Sequence, residues 1–101
     1  MRYLMHVTPD TNKFNAAVKE GTAGQTLGRI IESIRPEATY FAEVRGNRTC
    51  LLVVDVPDAS KIPAYAEPFY LTFDSKVEFH PCISPDELGR ANLEDLGKKW
   101  R

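Results

Sequence analysis

Between Ala38 and Val56 the chain reads ATYFAEVRGNRTCLLVVDV, and no other stretch limits its fold as much. Tyr40, Phe41 and Val44 form one β-favouring run and Cys50 to Val54 another, with Arg45-Gly46-Asn47-Arg48 between them. Gly-Asn in that place is a strong hairpin signal, because both residues accept the positive φ of a tight turn. The second arm, Leu51-Leu52-Val53-Val54, is apolar on both parities, which implies cover on both faces and a central position in a sheet.

The flanking segments supply the rest of the layer. Tyr3 to Val7 alternates as a strand, with Pro9 ending it and Asp10, Thr11 or Asn12 able to cap a helix. Phe14, Ala17 and Val18 keep helical spacing, Gly21-Thr22-Ala23-Gly24 interrupts it, and Leu27, Ile30, Ile31 and Ile34 resume it. The spacing predicts helices over about residues 12–20 and 23–34, or one kinked helix. Ile62, Tyr65, Ala66, Phe69, Tyr70 and Phe73 make a further amphipathic stripe. Pro68 inside it predicts a stop or kink near Glu67. Val77 to Pro81 reads as a last strand, and Ser84-Pro85-Asp86-Glu87 as a capped helix start leading to a tail helix over about residues 84–99. The thin apolar face of that tail (Leu88, Ala91, Leu93, Leu96, Trp100) must dock on something, with Trp100 as its anchor. The element order is β-α-β-β-α-β plus a tail: a single α+β domain spanning 1–101, with a ferredoxin-like four-stranded antiparallel sheet and helices on one face.

Strand parity then divides the sheet. Tyr3, Met5, Val7, Tyr40, Ala42, Val44, Leu52, Val54, Val77 and Phe79 are expected to face the helices. Leu4, His6, Phe41, Glu43, Leu51, Val53, Asp55, Glu78 and His80 are expected on the uncovered side, a mixture of large apolar and titratable groups. An apolar patch of that extent marks a partner surface or a binding groove, and two copies packed face to face would enclose the polar groups in a cavity.

The strand order, the apolar middle strand and the run Ala66-Glu67-Pro68-Phe69-Tyr70-Leu71, leading through Val77-Glu78-Phe79 to Pro81, resemble the dimeric α+β barrel superfamily. Ser84-Pro85-Asp86-Glu87-Leu88 with Leu96-Gly97-Lys98-Lys99-Trp100 is similar to a small bacterial family of unknown function within it. The resemblance implies a homodimer whose two sheets form a shared barrel. It implies no single activity, because the superfamily holds cofactor-free monooxygenases, muconolactone isomerase, haem-degrading enzymes and chlorite dismutase. The Asn, Trp and His arrangement of the haem-degrading members is not matched here, since Trp100 lies in the tail.

From the residues themselves, His6 and His80 are the candidate catalytic pair, on one face and on strands that neighbour in this topology. A histidine titrates near neutral pH and a carboxylate can orient it for acid/base work. Leu4, Phe41, Glu43, Val53, Asp55 and Glu78 are the candidate ligand-binding set. The alternative is a non-catalytic dimeric module in which the same residues only fill an assembly surface. Tyr40, Tyr65 and Tyr70 are expected to pack in the core. Arg45 and Arg48, flanking the turn, are expected to be solvated. Cys50 and Cys82 sit far apart with no Cys-x-x-Cys frame, so buried thiols in strands are expected rather than a disulfide or metal pair. No cofactor and no metal ligand set is indicated.

Net charge is −1 over 101 residues, without the clustered basic footprint of a nucleic-acid binder. The third strand lacks the aromatics on which an RNA-recognition motif stacks bases. The opening residues are too short and polar for a signal peptide and no apolar run reaches spanning length, so no membrane partner and a cytoplasmic location are expected. The partners expected are a second copy of the chain and a small organic molecule.

Overall fold

The computed structural model describes residues 1–101. Strand β1 (Arg2–Thr8) is followed by α1 (Thr11–Glu20) and α2 (Ala23–Ile34), then by β2 (Ala38–Val44) and β3 (Asn47–Asp55). A 3₁₀ turn (Ala59–Lys61) leads into α3 (Ile62–Phe73), β4 (Lys76–Pro81), α4 (Pro85–Arg90) and α5 (Leu93–Lys99). The four strands lie in the order β2-β3-β1-β4, and every neighbouring pair is antiparallel. This is the ferredoxin-like arrangement: each helical connection crosses one strand before the chain re-enters the sheet.

Local chemistry accounts for the boundaries. The Asp10 carboxylate accepts a hydrogen bond from the Lys13 N–H at 3.0 Å and starts α1. Gly21, at φ +79°, closes α1 in the left-handed conformation, so the interruption is a true break between two helices. The core lies between one sheet face and α1–α3: Met5, Val7, Cys50, Leu52, Val54 and Val56 meet Ile30, Ile34, Phe69 and Phe73.

Several expectations are corrected. Helix α3 continues through Pro68 to Phe73, so the stop expected near Glu67 does not occur. The proline deprives the Ala64 carbonyl of its N–H partner, a cost of about 3 kcal/mol in a helix interior. Phe69 and Phe73, among the largest fully buried side chains, contribute about 1.5–3 kcal/mol each on burial, and they sit on the far side of the gap. Packing outweighs the lost bond. The tail is not one helix but two, because Asn92 adopts φ +57° between α4 and α5. Cys82 lies one residue beyond β4 and is only half-buried, whereas Cys50 is buried; both thiols are free.

The hairpin carries the most consequential correction. Its turn is Arg45-Gly46, both at positive φ (+54° and +78°), and Val44 pairs with Asn47. A two-residue loop sets an even-numbered position of β2 opposite an odd-numbered position of β3. Tyr40 therefore stands opposite Leu51, Phe41 opposite Cys50 and Glu43 opposite Arg48. Since Cys50 and Leu52 point into the core, Phe41 and Glu43 belong to the helix side, and Tyr40 and Ala42 to the uncovered side. The assignments for the other three strands hold.

Candidate binding site on the open sheet face

The uncovered face is a grid of rows that run across the strands. One row is Ala38–Val53–Leu4–His80 and the next is Tyr40–Leu51–His6–Glu78. Arg2 and Asp55 form a row at one end; Thr8 and Lys76 stand opposite each other at the other. Leu4, His6, Leu51 and Val53 are half-buried by their neighbours alone, without any helix above them. The middle of the face is thus apolar on one flank and titratable on the other.

Three of the expected polar residues converge. The His6 and His80 rings are 6.5 Å apart between centroids and nearly perpendicular, at 89°. His80 Nε2 lies 2.9 Å from Glu78 Oε1, so the carboxylate fixes one ring nitrogen and leaves the other free to meet a ligand. His6 occupies the central strand with its Nδ1 buried and without a hydrogen-bond partner. A buried polar atom left unpaired costs about 1–3 kcal/mol, and because this nitrogen has no surface of its own the cost is relieved only if the His6 ring turns or its surroundings repack when the face is covered. The geometry allows the Glu78–His80 pair to take or give a proton beside a second imidazole that orients a polar group.

Leu4 and Val53 flank this pair as expected. Asp55 is on the same face but away from it, two rows from His6 along the strand direction, which is roughly 13 Å. There it accepts the Met1 ammonium at 3.1 Å. Phe41 and Glu43 are not part of the face. Phe41 shares the helix side of the edge strand with Cys50 and is 60% exposed, and Glu43 lies with Thr11, Asn15, Gly46 and Arg48 in a polar groove beside α1. Arg48 is not a loose turn residue either: it donates to Asn15 Oδ1 at 2.7 Å and its guanidinium lies 4.9 Å from the Phe14 ring centroid.

Two further groups belong to the open face. Tyr40, 69% exposed, extends the His6 row at its apolar end, and Arg2 occupies the row beyond Leu4, donating through two nitrogens to the Glu37 carboxylate at 3.1–3.2 Å. That hydrogen bond and the Glu37 charge hold the Arg2 pKa above its ordinary value. Loop parity was the available signal for Tyr40, and its shared parity with Leu4 and His6 for Arg2. Tyr65 does pack against the core, whereas Tyr70 is exposed.

No group of three or more His, Cys, Asp or Glu side chains is placed to hold a metal ion. No helix is long and apolar enough to cross a membrane. The chain matches no protein-family model and no curated protein sequence.

Proposed function

We propose that two copies of this chain pack their open sheet faces together as a dimeric α+β barrel, and that the mixed-polarity space between them binds a small organic molecule. The observation that carries this reading is the His6 environment: an unpartnered buried nitrogen, a Glu78–His80 pair beside it, and Leu4, Leu51 and Val53 completing an apolar wall. Such a wall calls for an apolar ligand body, and the imidazoles call for one ionisable or hydrogen-bonding group on it. In the acid/base form of the reading, Glu78 orients His80, His80 moves the proton and His6 holds the substrate oxygen or nitrogen. This is the cofactor-free isomerase- or oxygenase-like chemistry that the superfamily resemblance suggests.

The experiment combines sedimentation with ligand-induced thermal shifts across a panel of small aromatic and aliphatic acids, phenols and enolisable ketones. The expected result is a dimer with at least one compound raising Tm, a rise that is lost in His6→Ala and reduced in His80→Ala. A dimer that responds to nothing, or whose response survives both substitutions, supports the non-catalytic module instead. A single chain at high concentration removes the shared cavity altogether.

A further inference from the structure

Strand β2 is one edge of the sheet and β4 is the other. An edge strand leaves a row of backbone groups unpaired, and natural sheets blunt such edges with charged side chains and proline. Strand β4 is blunted: Lys76, Glu78 and His80 alternate along it and Pro81 ends it. Strand β2 is not. Its seven residues include one charge, Glu43, and no proline, while Tyr40 and Phe41 stand exposed at its centre on opposite faces. The unpaired groups can be named. The Val56 N–H donates to the Met1 carbonyl at 2.9 Å, and the Val53 carbonyl accepts from the Glu37 N–H at 2.7 Å. Even-numbered positions of β3 thus turn their backbone groups toward β1 and odd-numbered ones toward β2. Through the hairpin register, Ala38, Tyr40, Ala42 and Val44 answer the odd-numbered set. Thr39, Phe41 and Glu43 turn their N–H and carbonyl groups outward, where no loop of the chain meets them.

We propose that β2 pairs antiparallel with β2 of a second copy, Phe41 facing the partner's Phe41 across a two-fold axis perpendicular to the sheet. In that register Thr39, Phe41 and Glu43 meet the partner's Glu43, the partner's Phe41 and the partner's Thr39. Each pair exchanges both of its backbone hydrogen bonds, and the whole strand is covered. Side chains on the seam match as well. Tyr40 lies beside the partner's Ala42, large against small, and the Thr39 hydroxyl lies beside the partner's Glu43 carboxylate. Glu37 precedes the strand and Arg45 follows it, so the reversal a two-fold axis requires brings each Arg45 to the partner's Glu37. Arg45 has no ion pair within its own chain. A slide of two residues keeps the faces but loses the match. One direction sets Glu43 opposite the partner's Glu37, a like-charge pair that destabilises a ladder. The other sets Glu43 beside the partner's Phe41 and shortens the overlap. A foreign strand satisfies the same backbone groups; the fit of this seam to its own reversed order is what selects a second copy. Both open faces end on one side of the joined sheet and stay uncovered, so this pairing does not rest on the face-to-face dimer.

The test uses the full-length chain with Cys82→Ser, which removes the half-buried thiol and leaves Cys50 buried. One further substitution is added at a time, Phe41→Cys, Tyr40→Cys or Thr39→Cys, and each variant is treated with oxidised glutathione. Across the proposed axis the two Cα atoms are about 5.5 Å apart at position 41, within disulfide reach. They are about 8 Å apart at position 40 and about 14 Å at position 39, from the rise per residue and the strand spacing, and both exceed that reach. Phe41→Cys should therefore form a covalent dimer at least about tenfold faster than the other two. A link through Tyr40→Cys in its place would belong to the face-to-face dimer, because Tyr40 lies on the open face. Equal rates at all three positions would mean random collision. Either result overturns the edge pairing. Hydrogen exchange on the wild type gives a reading with no substitution at all. The amides of Thr39, Phe41 and Glu43 should gain protection as the concentration rises. Dimers in which those amides exchange as fast as in dilute chains would overturn the pairing and leave the face-to-face dimer standing.

Discussion

Cys50 shows what burial does to one ionisable group in this core. It is 4% exposed among Val7, Leu52 and the helix side chains, and with no charge or hydrogen bond to favour the thiolate, burial pushes its pKa from 9.0 to about 11. The thiolate is therefore less favourable in the folded chain than in the unfolded one. A folded pKa raised above the unfolded value contributes stability that is complete below 9.0 and lost as pH rises through about 11. The loss amounts to about 2–3 kcal/mol once ionisation is complete. Cys50→Ala should be less stable than wild type near neutral pH, and the gap should narrow by about that amount between pH 8 and pH 11, measured by urea unfolding. Lysine and tyrosine titrations are common to both proteins and cancel in the difference. A gap of constant size across that range would refute the account. Cys82, half-buried outside β4, should react with thiol reagents at pH 8 while Cys50 does not.

At the scale of the element, patterns that depend on one segment were legible and patterns that depend on two were less so. The stripe of α2 and the Ser84–Glu87 capping box rest on neighbouring residues, and their spacing alone predicts them, whereas at Gly21 spacing leaves two helices and one kinked helix equally open and the left-handed cap decides for the break. The face of β2 rests on its partner. Tyr40, Ala42 and Val44 alternate as well as Phe41 and Glu43 do, and only a two-residue turn decides which set joins Leu52 and Val54. A one-residue difference in where the turn lies exchanges the faces of a strand, which is how Phe41 and Glu43 come to be read as ligand-facing. Helix α3 is the same lesson in energetic form: propensity stops it at Pro68, and two buried phenylalanines carry it to Phe73. Pro68→Ala should restore the N–H that the Ala64 carbonyl lacks and raise stability by about 1–2 kcal/mol, after allowing for the greater freedom of the unfolded chain. Urea unfolding checks it. A loss of stability would mean that the half-buried proline ring packs better than its missing bond costs.

For the whole molecule, the open question of composition is why a chain of 101 residues keeps only 15 of them buried. Two surfaces contribute to it, the uncovered sheet face and the arm made by α4 and α5, alongside α1, β2 and β4, none of which fully buries a residue. The two surfaces differ in how they are attached. The sheet face belongs to β1 and β3, the two central strands, whose other side is the core; it cannot move without unfolding the domain. The arm is tied to the body chiefly at its root, where Cys82 N–H donates to the Arg2 carbonyl at 2.9 Å. A segment so attached can open locally at a free energy far below that of global unfolding. Hydrogen exchange on dilute, single chains should therefore divide the amides into two classes. Those of α4 and α5 should exchange with little protection, while those of Met5, Val7, Leu52 and Val54, in the two central strands, should exchange only through global opening. Small-angle scattering at the same dilution should give a radius of gyration nearer 17 Å than the roughly 13 Å of a compact chain. A compact radius together with protected arm amides would place the arm on its own body.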